Sequence, residues 1–194
     1  MAVLEEKPTS VHHSIAEYYW LDARDFLSRF DALWEVETHK TGRIKTFVDL
    51  LMGCECALKS HLMLGLLEKC PKEAYSTLRR ASHKISTLAD AATLNKDRST
   101  YDFLKNELSI FSVTIRYSLE AYDAFFPVMS DWSEADINHS KTLGSQPWVL
   151  SVRNALSTLI DDLNPHLTGF VSSDLTEIFE NEESVKRIIT EYRR

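Results

Sequence analysis

The stretch Phe47–Leu67, FVDLLMGCECALKSHLMLGLL, decides how the rest of the chain is read. It is apolar on nearly every side, and a helix of that kind is enclosed by neighbours rather than laid on a surface. Its length would also suit a membrane span. Against that, Glu55, Lys59 and His61 fall in its middle, where hydrocarbon penalises ionised groups, and no basic anchors flank it. The expectation is the central helix of a soluble bundle, with no membrane partner.

Glu55 and Lys59 stand four apart on one helical face, glutamate on the N-terminal side as such a pair prefers. A carboxylate and an ammonium in so apolar a segment need partners. Two readings stand side by side: an internal ion pair with a snorkelling lysine, or the floor of a polar site.

With 194 residues, 44% of them hydrophobic, the chain can bury one substantial core, and a single domain is expected. The core should span about residues 10–168, followed by an amphipathic helix over about 174–193. Five glycines and five prolines are few for a sheet protein with many turns. A net charge of −7 argues against nonspecific nucleic-acid binding through a broad basic surface, though not against a local basic site. Cys54, Cys56 and Cys70 read as reduced core thiols of a cytoplasmic protein, and their spacing makes no zinc site. The opening MAVLEEKPTS is acidic where a signal peptide needs a basic region and an apolar run.

Prolines 8, 71, 127, 147 and 165 punctuate segments of helical periodicity, which predicts five to six helices in an all-α, up-and-down bundle. The first starts near Ser10 or Ser14, carries Ile15, Tyr18, Tyr19, Phe26, Phe30 and Leu33 on one stripe, and ends before the link ETHKTGR, where Gly42 is a natural stop. After Cys70-Pro71 a helix continues through Tyr75, Leu78, Ile85 and Leu88, with Ser82 able to cap a restart. Thr100–Phe126 reads as one helix with Leu104, Leu108, Phe111, Ile115, Leu119, Tyr122 and Phe126 on its stripe, closed by Pro127. Asp131–Pro147 has no period and reads as a long loop. A helix carrying Trp148, Val152, Leu156, Leu159 and Leu163 then runs to Asn164-Pro165. Asp174 caps the last helix with Glu177 three residues on, and its apolar face either packs on the core or makes a homodimer.

There is no phosphate-cradling GxxxxGK[ST], no GxGxxG, no HExxH, no GxSxG and no ExxH pair of the di-iron bundles. No metal site or cofactor is expected. What remains is a set of polar residues in apolar helices. His83 follows Arg79 and Arg80 in RRASHKIS; Arg116 and Tyr117 stand in SVTIRYSLEAY. The bland readings are a helix-start histidine bonded to local backbone and an i,i+4 pair of Arg116 with Glu120.

Together ECALKSH (Glu55–His61), RRASHKISTLADAA and IRYS resemble the HEPN superfamily of helical-bundle proteins. Its members carry a buried E-x-x-L-K-[AS]-x-L helix, matched by Glu55, Leu58, Lys59, Ser60 and Leu62. A GHxLxxL-like segment is matched by Ser82-His83 with Ile85 and Leu88, and an RY pair by Arg116-Tyr117. The first helix, IAEYYWLDARDFLSRFDAL, is similar in flavour, and the match spans roughly residues 14–125.

The resemblance implies the toxin–antitoxin, abortive-infection and CRISPR-linked setting in which many members are metal-independent ribonucleases. Their motif is an arginine and a polar residue separated by a short spacer from a histidine, usually assembled across a dimer. This chain departs from it: Arg79 and Arg80 stand too close to His83, and Arg153-Asn154 meets no histidine before His166.

Three functions follow. The first is a HEPN-like bundle without that motif, binding RNA, nucleotide or a protein partner, with Glu55, Lys59, Arg79, Arg80 and Tyr117 as ligand contacts. The second is a ribonuclease in which His83 is the general acid or base and Arg116 or Lys59 steadies phosphate charge. The third is a structural homodimer. Convergence of Lys59, His83 and Arg116 on one basic cleft favours the first two.

Overall fold

The computed structural model describes residues 10–126, 137–168 and 174–192. Among these there are eight α-helices and no strand: α1 (Val11–Trp34), α2 (Lys40–Gly65), α3 (Pro71–Ala81), α4 (Ile85–Ala91), α5 (Ser99–Leu108), α6 (Ser118–Phe125), α7 (Gln146–Leu167) and α8 (Leu175–Glu191).

The central helix is enclosed as its sequence requires. An unbroken run from Phe47 to Leu51 and another from Gly53 to Leu64 are buried, so every side of α2 meets a neighbour. α1 lies along it in the opposite direction: Arg29 pairs with Asp49 at 3.2 Å, Gly53 faces Ala23 and Phe26, and Ser60 Oγ donates to Ala16 O at 2.8 Å. Gly53 lets α7 pack close, because a Cβ there would lie 2.7 Å from Leu156 Cδ2 and force that side chain to shift. α7 completes the layer antiparallel to α1. Trp34 Nε1 donates to Gln146 Oε1 at 3.0 Å, Arg153 Nη2 to Asp31 Oδ2 at 2.6 Å and Trp20 Nε1 to Ile160 O at 3.3 Å.

The helix starts obey local chemistry. Ser10 caps α1 by accepting from His13 N, and Asp174 caps α8 by accepting from Thr176 N and Glu177 N. Pro71 opens α3, where its missing N–H costs nothing.

Several boundaries differ from the expectation. Eight helices replace five to six, because two of the expected helices are broken. Gly42 does not stop α1; it lies within the first turn of α2, and α1 ends at Trp34. Thr100–Phe126 is not one helix. α5 closes at Leu108, a 3₁₀ turn occupies Val113–Arg116, and α6 restarts at Ser118. Ser112 accepts from Thr114 N, so its hydroxyl supplies the backbone with a non-helical partner inside a β-branched run.

The phase is lost at this break: Phe111 and Ile115 stay buried while Leu119 and Tyr122 face solvent. Tyr18 and Leu33 of the first stripe are likewise exposed, their core places taken by Ala16, Trp20 and Trp34. Ser82 does not cap α4, which has Lys84 at its N-cap; it follows the end of α3 in a turn described below. α7 runs two residues past Pro165, to Leu167. The expected stop at Pro127 and the first part of the Asp131–Pro147 loop lie outside the described residues; the rest of that loop folds a short 3₁₀ turn over His139–Lys141. On α8 only Val185 is buried, whereas Leu175 and Phe179 are exposed. No described helix is long and apolar enough to cross a membrane.

Candidate functional site

The site begins in the middle of α2. Glu55 is almost wholly buried and Lys59 nearly so, and the lysine ammonium is hydrogen-bonded to Glu55 Oε1 one turn away. The ammonium also faces the Tyr19 ring of α1, 5.4 Å from its centroid. Two buried charges are tolerable only when each has a partner and its remaining lone pairs are satisfied. For Glu55 the second partner comes from outside the core. His83 Nδ1 lies 2.9 Å from both carboxylate oxygens.

A carboxylate only accepts, so His83 Nδ1 carries the hydrogen and donates it. The other ring nitrogen, Nε2, is then left with a lone pair in the neutral ring. The side chains are 57% exposed for His83 and 2% for Glu55, so a buried carboxylate orients a solvent-facing imidazole.

The backbone that delivers His83 is strained. Ser82 has φ 52° and ψ −122°, the only non-glycine with positive φ among the described residues, and Lys84 N donates to Ala81 O at 3.1 Å. These are the angles of the first corner of a type II′ turn, which glycine usually occupies. A serine there costs about 1–3 kcal/mol, a cost that persists only where the surroundings enforce it. The residue after Ser82 is tied to Glu55, 28 positions earlier in the chain.

A cleft of about 410 Å³ opens beside the histidine, lined by Lys84, Ser86, Ser109, Ser112 and Val113 among others. Along α3 and the turn that follows it the charge is locally inverted. Residues 69–84 carry Lys69, Lys72, Arg79, Arg80 and Lys84 against the single carboxylate of Glu73. All five cations are exposed, and only Lys72 has a carboxylate of a described residue within ion-pair distance.

Burial shapes the neighbouring groups. It pushes the Tyr19 hydroxyl up, and it pushes the Cys56 thiol up to about 12, with Glu55 adding in both cases. Asp22 is also raised, by burial and by Asp25, against the pull of Lys59.

Of the residues singled out in the sequence, Glu55, Lys59 and His83 converge. Arg79 and Arg80 line the exposed face of α3 next to them; Arg80 Nη2 donates to Thr77 Oγ1 at 3.4 Å. Arg116 does not join the set. Its guanidinium lies 4.8 Å over the ring of its neighbour Tyr117 and donates to that hydroxyl at 2.9 Å, both residues facing solvent. Neither bland reading survives: His83 bonds a distant carboxylate rather than local backbone, and Arg116 pairs with Tyr117 rather than Glu120.

Lys84 and Tyr19 were not foreseen. Lys84 was legible as the next basic residue in RRASHK, whereas nothing in the sequence ties Tyr19 to Lys59. His61, 0% exposed, belongs to a separate network that fixes α2 to α5 and α7: Nε2 donates to Leu159 O at 2.9 Å, and Nδ1 accepts from the Tyr101 hydroxyl at 2.7 Å. No group of three or more metal-binding side chains occurs among the described residues.

The chain was compared with protein-family models, with curated proteins and with solved structures, and none of the three gives a match.

Proposed function

We propose that this chain is a HEPN-like helical protein of a bacterial defence or toxin–antitoxin system that binds RNA along α3 and the turn carrying His83. The observation that carries the reading is the run of exposed cations over residues 69–84, nearly all without an acidic partner among the described residues, on a chain whose net charge is −7. Uncompensated cations beside a cleft attract phosphates, and each contact releases condensed counterions. The likeness to the superfamily rests on ECALKSH in the enclosed helix and on the SHKI histidine folding back onto its glutamate.

The test uses the full chain and a labelled RNA. Arg79→Glu/Lys84→Glu should weaken binding at least about tenfold at low salt, as two reversed phosphate contacts require. Unchanged binding would remove the proposal.

The Glu55–His83 pair favours a second reading, metal-independent RNA cleavage. In that reaction His83 Nε2 takes the proton of a ribose 2′-hydroxyl as that oxygen attacks the adjacent 3′-phosphate; the P–O5′ bond breaks, leaving a 2′,3′-cyclic phosphate, and the departing 5′-oxygen takes a proton from water. Glu55 holds the ring in the required tautomer, as in other carboxylate–histidine pairs. General base catalysis contributes about 10²–10⁴-fold. Cleavage in excess chelator that is lost in both His83→Ala and Glu55→Gln supports it; no cleavage at high protein concentration excludes it.

A further inference from the structure

A second cleft, of about 530 Å³, lies between α3 and the end of α8. Lys72, Ser76 and Arg80 line it from α3, Lys69 from the preceding turn and Tyr192 from α8. Positions 72, 76 and 80 recur every four residues, so they form a row about 12 Å long at 1.5 Å per residue. Opposite that row stands the Tyr192 ring, fixed by an edge-to-face contact with Tyr75 at 5.4 Å between centroids.

The groove thus sets Lys72 and Arg80, with Lys69 at its end, against one aromatic wall. Two carboxylates bear on it: Glu73 is part of its lining, and Glu191 Oε2, at the C-terminal end of α8 where the helix dipole disfavours a carboxylate, is 2.6 Å from Lys72 Nζ. Both partners are half exposed, so the pair is only weakly stabilising.

We infer that this groove is a single-stranded RNA site in which a base stacks on Tyr192 and backbone phosphates lie on Lys72 and Arg80. Glu191 occupies the Lys72 position until a phosphate displaces it. The inference rests on the proposed RNA-binding role of α3 and adds the form of the ligand. An aromatic wall needs an unstacked base, which a duplex does not offer, and cations set along a helix follow a backbone without reading sequence. The groove ends at Arg80, three residues before His83 in the chain.

The experiment is fluorescence anisotropy with the full chain and a 5′-labelled, unstructured 12-nucleotide RNA, alone and annealed to its complement. Tyr192→Ala should lower affinity for the single strand about 5- to 100-fold, the range for loss of one base–aromatic stack, while Tyr192→Phe retains it. Lys72→Gln should weaken binding, and Glu191→Gln should strengthen it about two- to fivefold.

Glu191 is exposed at the helix end, so that variant stays informative if Tyr192→Ala fails to fold. Equal affinity of Tyr192→Ala and the unaltered chain overturns the inference, as does a Glu191→Gln that binds no better or a preference for the duplex. If Arg79→Glu/Lys84→Glu still weakens binding in those cases, the α3 reading stands without the groove. No RNA binding by the unaltered chain at low salt sinks both.

Discussion

Replacing His61 by leucine is the sharpest test of how the bundle is held. The imidazole is fully buried in α2 and reaches two other helices through Leu159 O and the Tyr101 hydroxyl. A carbonyl only accepts, so Nε2 carries the hydrogen and Nδ1 takes the Tyr101 proton; the Tyr101 oxygen in turn accepts from Asn95 N at 3.2 Å. Leucine fills similar space but makes neither bond. Two net bonds at about 1 kcal/mol each, with a buried hydroxyl left unmatched, give a loss of about 2–4 kcal/mol. That is a large part of the about 5–15 kcal/mol that holds an ordinary domain folded.

In urea monitored by far-ultraviolet circular dichroism, such a loss moves the midpoint down by about 1–2 M for a slope near 2 kcal/mol/M. His61→Leu/Tyr101→Phe removes the stranded hydroxyl together with the acceptor of Asn95 N and should cost less than the sum of the two single changes, so the two are not additive. A midpoint within about 0.2 M of the unaltered chain, or strict additivity, refutes the network.

The pH dependence has a definite sign. Burial holds His61 below the ordinary value of 6.5, outweighing Leu159 O and Asp162, and His12 is lowered in the same way. Below that value the unfolded chain binds protons that the folded chain refuses, so stability falls as pH drops through 6.5. Each site contributes at most about 1.4 kcal/mol per pH unit. His61→Leu should flatten this acid limb.

Three further outcomes follow from the site. Lys59→Met strands the Glu55 carboxylate with only His83 beside it and should destabilise by about 3 kcal/mol; Glu55→Gln/Lys59→Met should recover most of that, measured by the same denaturation. Ser82→Val places a β-branched residue at positive φ and should cost about 1–2 kcal/mol, whereas Ser82→Gly should cost nothing, as thermal melts will report. With a thiol reagent at neutral pH, exposed Cys70 should label at once, and Cys54 and Cys56, buried with their thiols pushed up, should label only after unfolding.

The parts of the fold legible in the sequence are those governed by nearest neighbours. An all-round apolar stretch gave the enclosed helix, and Ser10 and Asp174 gave two helix starts because a cap is a contact over two or three residues. The break after Leu108 was hidden because a 3₁₀ turn keeps Phe111 and Ile115 facing inward, so the apolar spacing runs through it. The same break explains Arg116: i,i+4 geometry needs continuous α-helix, and Arg116 stands in the 3₁₀ turn.

At the site, the Glu55–Lys59 bond was readable from spacing. The bonds of Glu55 to His83 and of His61 to Tyr101 join residues 28 and 40 positions apart and exist only after the helices pack. The Lys72–Glu191 pair, which joins the end of the last helix to α3, is likewise a product of tertiary structure.

The account turns on whether the cations around α3 meet phosphates, and the slope of log affinity for single-stranded RNA against log salt reports this most directly. Engagement of Lys72, Arg79, Arg80 and Lys84 at about 0.7 per phosphate gives a slope near −3, falling by about 1.4 units in Arg79→Glu/Lys84→Glu. A flat salt dependence, or a slope unmoved by that double change, contradicts it.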